Sequence, residues 1–303
     1  MNQDSVSNGV STFHFDFHKN IACPKLSCQE YYYSSKLTTY AFGVYSGETG
    51  KGSAYIWPET VAPKHPDSLV SCIDYHLKET EDANRRWNIF WADNTRSQNK
   101  NLTVAMYFDN LVSSGERDRI DYKFLIAGHS FGQVDRNCGL CEGVLKKEET
   151  IETPSDFVNL INRNLSPEIT WFEMKQNQFY CYSKWLRTKY ADQRKDIYGH
   201  PYRFSDMVWF NFGIGERIDA TDGTVRTFRH PGVVWMRETL DPREEPTEVD
   251  LRNPQHIELN STNLRPLNRK LIPLTKKKRE DLKNLTKFLS PRAKTYYGRF
   301  LGR

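Results

Sequence analysis

Three stretches of the chain hold acids next to residues that suit them to chemistry. Phe13-His14-Phe15-Asp16-Phe17-His18 alternates aromatic and polar side chains, which predicts a strand with Asp16 on the face of His14 and His18. Aspartate is disfavoured in strands, so something specific should hold it there; the alternative is an exposed polar strand face. Trp91-Ala92-Asp93-Asn94-Thr95-Arg96-Ser97-Gln98-Asn99-Lys100-Asn101 follows the apolar run Asn88-Ile89-Phe90-Trp91 and precedes the helical pattern of Leu102 to Phe108. Asp93 therefore falls where a strand gives way to a helix. Either Asp93 or Asn94 caps a helix beginning near Gln98, or the acid serves a ligand, because open α/β sheets bind ligands at the carboxyl ends of their strands. The third stretch, Gly128-His129-Ser130-Phe131-Gly132-Gln133-Val134-Asp135, ends on an acid, and Glu142 follows seven residues later on the same helical face. Carboxylates brought together repel unless cations lie between them. All-oxygen sites suit Mg²⁺ or Mn²⁺, and a pair of such ions can activate a water or a 3′-hydroxyl and stabilise the leaving oxygen of a phosphodiester.

The surrounding pattern predicts the elements that carry these acids. After the first strand, Leu26 to Tyr33 reads as a tyrosine-rich connection and Lys36 to Tyr45 as a second strand. The turn Ser46-Gly47-Glu48-Thr49-Gly50-Lys51-Gly52 leads to a third strand, Ser53 to Trp57. A strand follows that turn and its spacing is short, so it is a hairpin and not a phosphate loop. Leu69, Cys72, Ile73, His76 and Leu77 recur at helical spacing behind Asp67 or Ser68 as cap. A fourth strand leads into Asp93, a helix covers Leu102 to Val112, a fifth strand runs from Ile120 to Ala127, and Arg136 to Lys147 forms another helix. Three antiparallel strands followed by helix-linked parallel ones predict an α/β fold with a mixed five-stranded sheet and flanking helices.

The 303 residues, with 38% hydrophobic and 13% aromatic, can bury a substantial core. No apolar run of about 18 residues and no basic-then-apolar leader is visible, so neither a membrane span nor a secretory signal is expected and the protein should reside inside a cell. Residues 1–12 read as a disordered leader, 13–150 as the core, 151–260 as an α+β extension, and 261–303 as a basic helix and tail. In the extension, Pro154 to Asn164 and Ser183 to Tyr190 suggest helices, and Met207 to Phe212 and Arg226 to Arg237 suggest strands. Aromatic and basic residues interleave there: Trp185, Arg187, Lys189 and Tyr190, then Tyr202, Arg203, Trp209, Arg226, Phe228, Arg229, Trp235 and Arg237. They serve either as core or as a surface that stacks bases and holds phosphates. Asp241 to Asn260 reads as a Pro-rich acidic linker, and Lys276 to Leu289 as a helix. From Leu264 onward there are 13 Lys or Arg against Glu280 and Asp281, so the net charge of +5 is concentrated in the tail. Such a patch is the footprint of a polyanion binder, and Lys276-Lys277-Lys278-Arg279 also reads as a nuclear address; the alternative is a solvated helix face. Cys138-Gly139-Leu140-Cys141 has zinc-ligand spacing, which Cys23 and Cys28 could complete, with buried or free thiols as the alternative.

Phe15-Asp16-Phe17, Trp91-Ala92-Asp93-Asn94 with Gln98-Asn99-Lys100-Asn101, Gly128-His129-Ser130 with Asp135, and the basic C-terminal helix together resemble a transposon-derived animal domain, a DDE-type DNA transposase with a ribonuclease H-like core. The resemblance spans about Phe13 to Phe300. It implies metal-dependent phosphoryl transfer on DNA, with the first and fourth strands adjacent so that Asp16 and Asp93 converge as ligands of Mg²⁺ or Mn²⁺. Asp135 is the third acid, with Glu142 in reserve, and His129 is placed to contact the scissile phosphate unless it is structural. Asn94, Gln98, Asn99 and Lys100 would orient metal-bound water or the DNA backbone, and Lys276, Lys277, Lys278 and Arg279 would contact nucleic acid. DNA is the implied partner and homo-oligomerisation is carried over from the family. The rival readings are a domesticated, catalytically inactive protein that binds DNA or another protein, and a nuclease acting on RNA–DNA hybrids.

Overall fold

Alternation at the start of the chain produces strand β1 (Val10–Phe17), whose odd-numbered aromatics Phe13 and Phe15 are fully buried. The computed structural model describes residues 9–80, 85–95, 98–125, 132–219, 221–253 and 264–302. After β1 come β2 (Ile21–Cys23), α1 (Gln29–Tyr33), β3 (Leu37–Ser46), β4 (Gly52–Pro58), α2 (Pro66–Thr80), β5 (Trp87–Ala92), α3 (Leu102–Ser113), β6 (Arg119–Phe124) and α4 (Gln133–Lys147). The chain continues through α5 (Pro154–Leu165), β7 (Ile169–Glu173), α6 (Tyr182–Leu186), β8 (Trp209–Ile218), β9 (Val225–Arg237), β10 (Thr247–Asp250), α7 (Lys276–Leu285) and α8 (Pro291–Leu301).

All ten strands among the described residues belong to one mixed sheet, in the order β10-β9-β8-β6-β5-β1-β3-β4-β7, with β2 beside β3. β1 runs antiparallel to β3, and β3 to β4, through the expected hairpin. β5 is parallel to β1 and β6 to β5, each reached through a helix. The expected mixed α/β sheet with flanking helices is therefore present, but it is wider than five strands. Segments beyond residue 150 extend both edges: β7 lies parallel on β4, while β8, β9 and β10 continue antiparallel from β6.

Each sheet face has its own core. On one face, Leu69, Ile73 and Leu77 of α2, Val104, Phe108 and Leu111 of α3, and Tyr182 and Leu186 of α6 pack against Phe13, Phe15, Phe42, Phe90 and Tyr122. On the other face, Cys141 of α4, Phe157 and Ile161 of α5, Leu282 and Leu285 of α7, and Tyr297 of α8 cover Leu37, Ala41, Ile56 and Trp171. A fully buried side chain of this size gains about 1.5–3 kcal/mol, so both faces draw on helices distant in sequence.

Several boundaries differ from expectation for local reasons. Val10 to Thr12, expected in the leader, belong instead to β1, where Val10 pairs with Trp87. The helix expected over Lys276 to Leu289 ends at Leu285, and α8 restarts at Pro291 behind the cap Ser290, whose side chain accepts from the Ala293 N–H at 3.3 Å; proline favours a helix start and cannot continue one. The supposed linker contains β10, and the helix expected over Ser183 to Tyr190 covers only Tyr182–Leu186. Among the described residues no helix is long and apolar enough to cross a membrane.

Candidate carboxylate site

Asp16 is the penultimate residue of β1 and pairs with Gly43 of β3. On the other side of β1, Phe15 pairs with Ala92 of β5, so Asp93 emerges just beyond the adjacent parallel strand. Asp135 lies in the first turn of α4. Parallel strands bring their carboxyl ends to one pole, and there the charges of Asp93 and Asp135 reach Asp16. The Asp16 carboxyl is raised above its ordinary range, first by burial and further by the negative charges of Asp93 and Asp135. Hydrogen bonds partly offset this: Asn99 Nδ2 donates to Asp16 Oδ1 at 2.8 Å and the Phe17 N–H donates to the same oxygen at 2.7 Å.

Each acid has a local holder. Asp93 Oδ1 accepts from the backbone N–H and the hydroxyl of Thr95, which fixes a tight turn after β5. It does not cap α3: that cap is Asn101, whose side chain accepts from the Val104 N–H at 3.0 Å. The helix therefore begins at Leu102 rather than near Gln98. Asp135 Oδ2 accepts the Gly132 N–H at 2.9 Å, so it closes the first turn of α4 with one of its two oxygens. Glu142 sits farther along α4 with an exposed carboxylate, 3.7 Å from Lys146.

The polar run after Asp93 turns partly inward. Asn99 is fully buried, its backbone oxygen accepts the Tyr122 hydroxyl at 2.5 Å, and its Oδ1 has no partner among the described residues. Lys100 is also buried, donating to Asn94 Oδ1 at 3.1 Å and to the Ser205 carbonyl at 2.5 Å. Asn94 and Gln98 remain exposed. Lys100, expected to face nucleic acid, instead ties the loop to the segment ahead of β8. His129, with Gly128 and Ser130, lies outside the described residues, as do Arg96 and Ser97.

His14 and His18 share the Asp16 face, and both are buried, which excludes a solvated strand face. Burial lowers the His14 pKa, opposed by Asp135 and then Asp93; His18 is pushed down to about 4 by burial, opposed by Asp135. Both imidazoles are thus kept neutral at neutral pH. Their fit depends on two glycines: a Cβ on Gly132 would meet His14 Cε1 at 1.7 Å, and one on Gly43 would meet His18 Nε2 at 2.3 Å. Lys64, from the loop before α2, also reaches this pole, with Nζ 4.4 Å from the Phe17 ring centre; burial lowers its pKa, opposed by the charge of Asp16. Nothing in the local sequence marks Lys64, since its neighbours Phe17 and Asp16 stand at the end of β1, far away in sequence.

Among the described residues no three His, Cys, Asp or Glu side chains stand close enough to cage a metal ion as placed. Asp93 and Asp135 are within electrostatic reach of Asp16, but the three acids do not form a ligand cage as placed. The cysteines do not assemble a zinc site: Cys23 lies in the second core, where its sulfur accepts the Tyr297 hydroxyl at 3.3 Å, and burial pushes Cys138 up to about 12 and Cys141 up to about 11. Of the interleaved aromatic and basic residues, Tyr190, Trp209, Trp235 and Arg237 are buried, whereas Arg187, Arg203, Arg226, Phe228 and Arg229 are exposed. On α7, Lys276, Lys277 and Arg279 are exposed, whereas Lys278 donates to Glu59 Oε1 at 2.6 Å.

Residues 29–208, more than half of the chain, match the family described as a domain of unknown function, DUF7869, and the chain belongs to that family. Asp93 and Asp135 fall inside the matched span and Asp16 ahead of it. No curated protein and no solved structure matches the chain.

Proposed function

We propose that this chain is a DDE-type transposase-like enzyme with a ribonuclease H-like core, a metal-dependent polynucleotidyl transferase and endonuclease acting on DNA. The observation that carries the reading is the meeting of Asp16, Asp93 and Asp135 at one pole of the sheet, from two adjacent parallel strands and the first turn of a helix. Three antiparallel strands followed by helix-linked parallel ones, with the first core strand beside the fourth, support the fold part of the proposal. The donor chemistry fits a hard dication: the acids supply only oxygen, Asn99 Oδ1 lacks a partner nearby, and Asp16 experiences two like charges that a cation would relieve.

In this reading Asp16, Asp93 and Asp135 hold Mg²⁺ or Mn²⁺. When bound, the metal would supply activation of the attacking hydroxyl or water and stabilisation of the leaving oxygen. Asn99 orients Asp16, and the Tyr122 hydroxyl fixes Asn99. Neutral His14 and His18 fill the space beneath α4 without adding positive charge that would compete for the carboxylates. Asp135 is the better third acid, because Glu142 is exposed and paired with Lys146. DNA as substrate, nuclear residence through the Lys276 to Arg279 run, and assembly with further copies belong to the same proposal.

The test is cleavage and strand transfer on labelled duplex DNA with Mg²⁺ or Mn²⁺ at low and moderate salt, comparing the wild type with Asp16→Asn and Asp93→Asn. The reading expects the wild type to cut and both variants to lose cutting while still binding DNA. Equal DNA binding by all three with no cutting by any would overturn it in favour of a domesticated, binding-only protein.

A further inference from the structure

Helix α1 is five residues long and buries none of them completely. Tyr31 packs at the edge of the second core, with Lys36 Nζ 4.1 Å from its ring centre. Tyr32 and Tyr33 are 80% and 84% exposed, the most exposed large apolar side chains among the described residues. Beside them runs α7, tied to the end of α1 by the Ser35 N–H, which donates to Asp281 Oδ2 at 2.9 Å. Leu282 and Leu285 anchor α7 to the sheet, while Lys276, Lys277, Arg279 and Lys283 face solvent. Lys278 is engaged by Glu59, and Asp281, which accepts the Ser35 N–H, also feels the charge of Lys277, so the four exposed cations stand on a helix that carries the two acids Glu280 and Asp281.

We propose that Tyr32 and Tyr33, together with Lys276, Lys277, Arg279 and Lys283 of α7, form a docking surface for single-stranded nucleic acid. Scattered exposed aromatics need no explanation. Two adjacent tyrosines bordered by a helix that exposes four cations and carries two acids match what an unpaired strand requires, because its bases offer ring faces for stacking and its phosphates are held by the basic helix. A duplex hides those faces, so the tyrosines favour the single strand. The surface lies at the same pole as the acids: β3 begins at Leu37, six residues before Gly43, the partner of Asp16, a span of about 20 Å along the strand. A strand held there can lead to the carboxylate site; that destination rests on the function proposed above, whereas the binding does not.

The test uses the full chain without divalent metal and measures fluorescence anisotropy with a labelled single-stranded oligodeoxynucleotide and with its duplex. Tyr32→Ala/Tyr33→Ala should bind the single strand at least about tenfold more weakly, with duplex binding and the salt dependence nearly unchanged. Lys276→Gln/Lys277→Gln/Arg279→Gln should weaken both and flatten the salt dependence. Tyr32→Phe/Tyr33→Phe should bind like wild type, since the ring does the stacking. Single-strand binding by the alanine variant equal to wild type, or tighter wild-type binding to anionic phospholipid vesicles than to the oligonucleotide, would overturn the proposal. Tyrosine-dependent single-strand binding in a protein that never cuts DNA would leave this surface standing and sink the metal-site reading; cutting without tyrosine dependence would do the reverse.

Discussion

Gly132 has no room for a side chain. An added Cβ would collide with the His14 ring, so Gly132→Ala must push α4 away from β1, at a cost of about 1–3 kcal/mol as in other overpacked interiors. Urea unfolding should show that loss, and Gly139→Ala, a position with open space around it, should not. Asp109 gives a pH dependence of definite sign. Burial pushes its carboxyl up to about 6 from 3.8. Between those values the folded chain keeps a proton that the unfolded chain has released, so this group makes stability fall as pH rises through the window, by on the order of 3 kcal/mol. His76, pushed down to about 4 from 6.5 by burial, acts oppositely: the unfolded chain takes up a proton first, and stability falls on acidification. Asp109→Asn isolates the first effect: its stability relative to wild type should rise between about pH 4 and pH 7 in urea titrations. At this scale Asp16, Asp93 and Asp135 were legible because period-two alternation and element ends mark them. Lys64 and the inward turn of Asn99 and Lys100 were not, since both depend on neighbours far away in sequence.

The sheet on which these residues stand is held across its middle by one buried carboxylate. Asp121 of β6 is fully buried and accepts from Trp87 Nε1 of β5 at 2.9 Å, Trp209 Nε1 of β8 at 2.8 Å, Asn211 Nδ2 at 2.8 Å and Arg119 Nε at 2.7 Å. Removing it would leave the two indole N–H groups without this acceptor and the buried Arg119 guanidinium with Glu216, at 3.0 Å, as its remaining carboxylate partner. Asp121→Ala should therefore cost about 3–5 kcal/mol by chemical denaturation, far more than Asp222→Ala at an exposed position between β8 and β9. Element types along β1, β3 to β6 and α2 to α5 followed from periodicity and caps. The Gly-rich hairpin also matched its pattern, with Tyr45 opposite Gly52. β7 and β10 escaped notice because each is short: Ile169–Glu173 sits behind a Ser-Pro break, and Thr247–Asp250 hides among acids and prolines that suggest a linker. Their place in the sheet comes from edges that only the assembled sheet offers.

For the molecule as a whole, the charge asymmetry was plain in the sequence but its structural role was not. Read alone, the basic tail is an arm for a polyanion; folded, α7, α8 and the segment between them also contribute Leu282, Leu285, Leu289, Tyr297 and Leu301 to the core over Leu37, Ala41 and Ile56. Deleting residues from Lys276 onward should thus abolish a single cooperative unfolding transition, in contrast to charge-neutralising substitutions on the exposed face of α7, which should leave it intact. The width of the sheet was equally hidden, since pairing of β7 with β4 and of β8 with β6 joins residues from separate halves of the chain. The acids at the carboxyl pole are proposed above to form a divalent-cation site. The most direct test of that site is calorimetric titration of the metal-free full chain with Mn²⁺ and Mg²⁺. The account predicts uptake by the wild type, binding at least about tenfold weaker in Asp16→Asn and in Asp93→Asn, and unchanged binding in Glu142→Gln. No uptake by the wild type, or equal uptake by Asp16→Asn, would contradict it.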